Sequence, residues 1–552
     1  MPSSASLPSF TLTSLIATAA LACAAFAHAP MASAQTQTDS VQAVERPAAQ
    51  ASGEHRALPP PVIMALDRAH VPISAVSVVV EKTGDASPVV AVNDALPMMP
   101  ASTMKLVTTY AGLGLLGPGF RWPTRAWTDG SVDANGTLHG NLYIQGTGDP
   151  KLVPEELIDL VQKIRAAGIV NLDGALVLDK SAFDVSTRDL PSFDGDDEAP
   201  YNVGPEPLLY AYKAMTFTFS PDEDGDGDVT ITEVPPLAGL EIDNQMHLRN
   251  GACTHVHLMP QISTAITSAN GALPALTASF DGTYARRCGE RSVNIAAPVD
   301  HTTFFADGFL ALWHEAGGTL GPDFNSAVRE GQVPANARFI AEHDGPALAS
   351  VIHDINKFSN NTMARNLFLT LGETRNTPST PAKATATIAA FLQRSHIPMP
   401  DLVLDNGCGL SRSEFVSARS LANLLQAAKA SAVAQVFIDS LPVAGVDGTM
   451  RHRLVDTDVA GHAYIKTGSL RDVRAIAGYV SAANGNTYIV VSLINDPHAK
   501  AARAAHDALL EWVYQGMPEE MRSNLFVPAS SVTQDIPDDA GSPGSGTNDP
   551  GQ

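Results

Sequence analysis

At 552 residues the chain is long enough for two or three domains, and a hydrophobic fraction of 44% supplies a sizeable core. With 35 basic against 58 acidic residues, the formal charge is −23, which excludes nucleic acid as a partner because its phosphates would be repelled. Acidic loops carry most of that excess, so it says little about a substrate.

The N-terminus reads as an export signal. Residues 12–26 are an apolar, alanine-rich run, and Ala32, Ser33 and Ala34 form a small-residue cleavage site before Gln35. No Lys or Arg precedes the run, which departs from the usual pattern, and Cys23 offers a lipoprotein site as the alternative to cleavage after Ala34. Residues 1–34 are therefore expected to leave and 35–57 to form a polar linker. No later stretch is long and apolar enough to span a bilayer, so a periplasmic protein is expected, with peripheral membrane attachment left open. An oxidising compartment favours a disulfide between Cys253 and Cys288; two unpaired buried thiols are the alternative. Cys408, between Gly407 and Gly409, has no nearby histidine and no metal-ligand spacing, and reads as a small buried residue. No metal or cofactor is expected.

Residues 62–70 carry a helical pattern. Two strand patterns, 75–81 and 88–93, then form a hairpin that delivers the chain to Ser102. Pro100 punctuates, and Met104, Val107, Tyr110 and Leu113 follow at helical spacing until Gly117, Pro118 and Gly119 close the segment. Ser102 thus falls in the first turn, with Lys105 one turn on along the same face. A hydroxyl beside an amine at a helix start suits nucleophilic catalysis: a desolvated amine loses its proton, and free backbone N–H groups can hold an oxyanion. Taken alone, Ser-x-x-Lys is weak, since most such matches are a helix cap followed by a solvated lysine.

Residues 122–338 change character to short alternating runs rich in Gly, Pro and Asp, which predicts one or two inserted β-rich domains. Helical patterns there are confined to 155–167 and 300–316. Gly146 to Pro150 reads as a turn rather than a phosphate loop. Residues 222–233 match the spacing of a calcium loop, but the flanking runs alternate like strands, so an acidic hairpin tip is the preferred reading. Longer elements return from 339: helices at 346–356, 361–371, 380–395 and 418–430, strands at 463–468, 473–480 and 487–494, and a final helix at 499–514. A glycine-rich loop spans 405–412 and another loop 441–449. Residues 529–552 have the composition of a disordered tail. An α/β (α+β) fold is predicted, with 58–121 and 339–528 forming one discontinuous domain around the insertion.

Two further motifs follow Ser102 and Lys105 in order: Ser359-Asn360-Asn361 ahead of a helix, and Lys466-Thr467-Gly468 on a strand. With all three, the chain resembles the class C low-molecular-mass penicillin-binding proteins, the D-alanyl-D-alanine carboxypeptidase/endopeptidases of the serine β-lactamase-like superfamily. Gly148-Asp149-Pro150, Gly409-Leu410-Ser411-Arg412, the stretch 441–449 and Gly478-Tyr479-Val480 also look like this family, as does the long insertion after the first motif. Two departures stand out: Cys408 where the family usually has serine, and Asn360 at the variable position of the second motif.

The resemblance implies a β-lactamase/transpeptidase-like catalytic domain acting on peptidoglycan stem peptides, with β-lactams as covalent inhibitors. Ser102 would attack the penultimate D-alanine carbonyl, Lys105 would take its proton, and Ser359 with Lys466 would pass a proton to the leaving amine. One of the two lysines is expected to have a depressed pKa, because two close cations repel. Asn361 would bond the substrate amide or Lys105. The backbone N–H groups of Ser102 and Ser469 would form the oxyanion hole. Thr467 and Ser469, beside Gly468, would bind the terminal carboxylate. Arg412 would reach the stem, and Asp196 or Asp197 would meet its free amine. A β-lactamase shares the motifs, but no second base for fast deacylation is identifiable. A catalytically idle wall-binding scaffold is the non-enzymatic alternative, against which the intact motifs argue. A homodimer is left open.

Overall fold

The computed structural model describes residues 57–517 except 86, 189, 222–228, 255–256, 266–274, 323, 325–327 and 374–376. The expected signal segment, almost all of the linker, the tail and the tip of the acidic 222–233 loop lie outside the described residues.

Five antiparallel strands form the central sheet, in the order Ala463–Leu470, Val473–Ser481, Thr487–Asn495, Val76–Lys82, Pro88–Val92. Val76–Lys82 is an aliphatic run buried on both faces, as a strand between two layers must be. Val78 and Val80 join one core, with Leu66 of helix Pro60–Arg68 and Leu509 and Trp512 of helix Arg503–Tyr514. Val79 points the other way, into a core with Leu421 and Leu425 of helix Ala418–Ala430. In that second layer lies helix Lys105–Leu116. It is apolar nearly all round, so it can only be a central helix. Helices Leu348–Phe358, Asn361–Thr370 and Pro381–Arg394 pack against it.

The inserted segment has a core of its own. Its five-stranded sheet runs Arg329–Glu330, Leu176–Asp179, Leu142–Gln145, Pro123–Thr128, Arg338–Asp344, and packs beside helices Pro154–Ala166 and His301–Glu315. The last strand pairs antiparallel with Pro123–Thr128, so the inserted sheet continues past residue 338, where the sequence reading ends the insertion. Strand Ala275–Ala285 takes Leu240–Arg249 as a parallel neighbour and Gln261–Ala265 as an antiparallel one, a pairing no local signal announces. The runs flanking the acidic loop, Ala214–Pro221 and Val229–Val234, pair antiparallel; the helices a calcium loop needs on both sides are strands here. Cys253 and Cys288 form a disulfide, and Cys408 is a buried free thiol.

Candidate active site

The chain enters the site through a bend at Ala101, whose φ of 47° is left-handed, and a short 3₁₀ turn, Ala101–Met104, presents Ser102 at the mouth of helix Lys105–Leu116. Lys105 is fully buried. Its Nζ donates to Ser102 Oγ (3.0 Å), Asn361 Oδ1 (2.6 Å) and the Cys408 carbonyl (2.6 Å). Burial pushes its pKa down from 10.5 to about 8, against the weaker opposing pull of Glu414 and Cys408.

Ser359 leaves helix Leu348–Phe358 with a left-handed φ of 57°. Asn360 then caps helix Asn361–Thr370, its side chain accepting from Met363 N at 3.0 Å. That is the work of an N-cap, which Asn performs as well as Asp, so Asn360 is accounted for locally. Lys466, on strand Ala463–Leu470 and fully buried, donates to Ser359 Oγ and to the Thr467 carbonyl, both at 2.9 Å. Burial lowers its pKa well below the ordinary value, and the nearby Lys105 lowers it further. Gly468 brings this strand against the serine: a Cβ there would lie 2.7 Å from the Pro100 carbonyl and 3.1 Å from Ser102 N. Thr467 Oγ1 meets Thr449 Oγ1 at 2.8 Å.

A cleft of about 540 Å³ opens over Ser102, lined also by Asn361, Ser469, Arg412, Phe193, Asp194 and Tyr201. The Arg412 guanidinium lies over the Phe193 ring, 4.9 Å from its centroid. Of the aspartates in the inserted loop, Asp194 lines this cleft, and Asp472, beside Arg471, lines it from the catalytic fold. Asp196 is exposed outside the lining and contributes backbone: its N–H donates to Asp194 Oδ1 and its carbonyl accepts from Asn202 Nδ2. Asp197 lines a separate depression with Lys213 and His301. Asp194 is turned into place by Tyr201 Oη and Asn202 Nδ2, each donating at 2.7 Å, and these bonds hold its carboxyl below the usual range. Which of several aspartates in one polar loop faces the cleft is set by those partners, and spacing alone does not reveal them.

Two buried residues that sequence reasoning misses hold the walls. Glu414 accepts backbone N–H groups from Asp405, Asn406 and Gly407 on one oxygen (3.1, 3.1 and 2.8 Å) and from Gly409 on the other (2.9 Å), so it shapes the loop whose Cys408 carbonyl binds Lys105. Burial pushes its carboxyl upward while those N–H groups pull it back. A lone acid just after a glycine-rich loop full of unsatisfied N–H groups is the signal that could have found it. Asn366, on the helix of the second motif, accepts from Glu206 N (3.0 Å) and donates to the carbonyls of Glu206 (2.9 Å) and Gly148 (3.2 Å). On the same helix Arg365 donates to the carbonyls of Asn202 and Val203, and Asn361 Nδ2 to that of Tyr201. The inserted loop is thereby bound to the helix that carries Asn361.

The sequence profile of the D-Ala-D-Ala carboxypeptidase 3 (S13) family matches residues 64–515. A D-alanyl-D-alanine carboxypeptidase from Actinomadura sp. (strain R39) is 28% identical over 453 residues, 77% of this chain and 79% of that one. The D-alanyl-D-alanine carboxypeptidase DacB of Haemophilus influenzae is 26% identical over 415 residues, 74% of this chain and 83% of its own. The crystal structure of penicillin binding protein 4 (dacB) from the same organism superposes with a TM-score of 0.63 at 22% identity, covering 82% of this chain and 99% of its own, and so shares the fold.

Proposed function

The chain belongs to the D-Ala-D-Ala carboxypeptidase 3 (S13) family, and we propose that it uses Ser102 as the nucleophile of a serine peptidase that hydrolyses D-Ala-D-Ala termini of peptidoglycan stems. One observation carries the reading: a serine hydroxyl 3.0 Å from a buried lysine whose pKa is lowered to about 8. About a tenth of such amines are neutral at pH 7, enough for a general base.

Lys105 takes the Ser102 proton as Oγ attacks the penultimate D-alanine carbonyl. The tetrahedral oxyanion sits between the backbone N–H groups of Ser102 and Ser469. Collapse breaks the peptide bond, and the proton that Lys105 took from Ser102 passes to the leaving D-alanine amine through the Ser359 hydroxyl, which Lys466 holds at 2.9 Å. Water then attacks the acyl-enzyme and regenerates the Ser102 hydroxyl. Thr467 and Ser469 bind the terminal carboxylate along the strand that Gly468 holds close. Arg412 and Asp194 line the same cleft as Ser102 with opposite charges that suit a zwitterionic stem side chain, which supports cross-links ending on such a side chain as further substrates. β-Lactams acylate the same hydroxyl. The export pattern of residues 1–34 and the Cys253–Cys288 disulfide support a periplasmic site of action; among the described residues no helix is long and apolar enough to cross a membrane.

The test is covalent labelling by a fluorescent penicillin, with mass mapping of the adduct. Label on the Ser102 peptide, lost in Ser102→Ala, is expected. A folded wild-type protein that takes no label, or a variant that labels equally, would overturn the assignment. Mass analysis of products from cross-linked muropeptides separates carboxypeptidase from endopeptidase action.

A further inference from the structure

Lys357 ends the helix that delivers Ser359, and its side chain is only 5% exposed. Its Nζ donates to the Leu441 carbonyl and to Asp447 Oδ2, each at 2.6 Å, while Asp447 Oδ1 accepts from Val443 N at 2.8 Å. One buried ammonium thus fastens the 441–449 loop to the helix end, two residues before the left-handed Ser359.

The same loop is fastened to the strand of Lys466. Ile465 N donates to the Pro442 carbonyl (2.7 Å), Ala444 N to the Ala463 carbonyl (2.9 Å), and the Thr449 and Thr467 hydroxyls share a hydrogen bond. At Gly448, whose φ is +55°, a Cβ would lie 2.6 Å from the Lys357 carbonyl, so loop and helix meet backbone to backbone. Ser359 and Lys466 come from the two elements that this loop ties together. Their 2.9 Å hydrogen bond spans the gap that the loop bridges.

Resting on the site assignment above, we propose that Lys357 and Asp447 are a positioning pair that sets Ser359 at hydrogen-bond distance from Lys466. Neither residue is among those that line the cleft over Ser102. What they fix is the proton path to the leaving group, where a displacement of about an ångström costs up to about a hundred-fold in rate.

A double-mutant cycle tests this, with peptide turnover and penicillin acylation as readouts on protein shown to be folded by its melting profile. Asp447→Asn is expected to lower kcat and the acylation rate at least about ten-fold while KM stays within about two-fold, and Asp447→Glu to recover part of the loss. In a Ser359→Ala background, Asp447→Asn should cost no more than about two-fold further, because the group it positions is gone. Losses that multiply across the two sites, or a folded Asp447→Asn enzyme at wild-type rate, would overturn the pair. If Asp447→Asn does not fold, Lys357→Arg enters the same cycle, keeping the charge and losing the geometry, with the same criterion. Failure of the wild type to label at Ser102 sinks the site assignment itself; a labelled wild type with multiplying losses sinks only the pair.

Discussion

The two walls of the cleft are built on different physics. On the side of the central helix, Lys105 and Lys466 are fully buried, each bonded to one serine hydroxyl, and both are pushed toward neutrality. Opposite them, the inserted loop offers Asp194 and Tyr201, both exposed, and the hydrogen bonds of Asn202 and Tyr201 hold Asp194 ionised. A proton acceptor must be desolvated to be neutral near pH 7, and desolvation demands a core. A residue that recognises a charged substrate group must keep its charge, and so it can sit at the surface. On the proposed mechanism, proton transfer stays in the buried part of the catalytic fold, while the insertion's Asp194 and the catalytic fold's Arg412 meet the charged stem at the surface.

The sharpest way to break that division is Lys105→Met. Turnover and penicillin acylation should fall by about 10³-fold or more while the protein stays folded. Wild-type kcat/KM should rise with pH toward and past 8 as Lys105 loses its proton. The linkage to stability has a definite sign. Lys105 ionises at about 8 when folded and near 10.5 when unfolded. Between those values the unfolded chain holds the extra proton, so the penalty, about 3 kcal/mol, is full below pH 8 and fades as pH rises to 10.5. Wild type should therefore gain in melting temperature relative to Lys105→Met between pH 7 and 10, and a constant difference would contradict the burial argument.

Asn366→Ala should come next. It strips the clamp between the inserted loop and the second-motif helix, leaving Glu206 N and the Glu206 and Gly148 carbonyls without that partner, at a cost of about 1–3 kcal/mol. Thermal melting measures that loss, and KM for an amine-bearing stem peptide should rise more than penicillin acylation slows. Smaller again, Asp194→Asn should raise KM for such a stem several-fold with little change in kcat or melting temperature, whereas Asp196→Asn should change neither. The least effect on turnover is expected from replacing Cys253 and Cys288 together by Ser. That lowers stability by about 2–4 kcal/mol within the insertion and leaves acylation of the folded enzyme at the wild-type rate.

How far the sequence could be read follows the same divide. Helix Ala418–Ala430 and the hairpin into Ser102 were legible because their signals are local: an apolar face at 3.6 residues, a run of β-branched residues ended by a turn. Strand Arg338–Asp344 was not, because its neighbour is Pro123–Thr128, some two hundred residues earlier, and its own residues carry no clear alternation. The choice of Asp194 over Asp196 turned on the hydrogen bonds of Tyr201 and Asn202.

By itself the amino-acid order determined the three motif segments and the turn, cap or strand each one forms, since those depend on neighbours a few positions away. Only the tertiary structure decided that Lys105 and Lys466 are stripped of water, that Glu414 and Asn366 hold the walls, and which aspartate of the inserted loop lines the cleft. Desolvation and long-range hydrogen bonds are sums over atoms from remote parts of the chain, and they come into being only when the chain is folded.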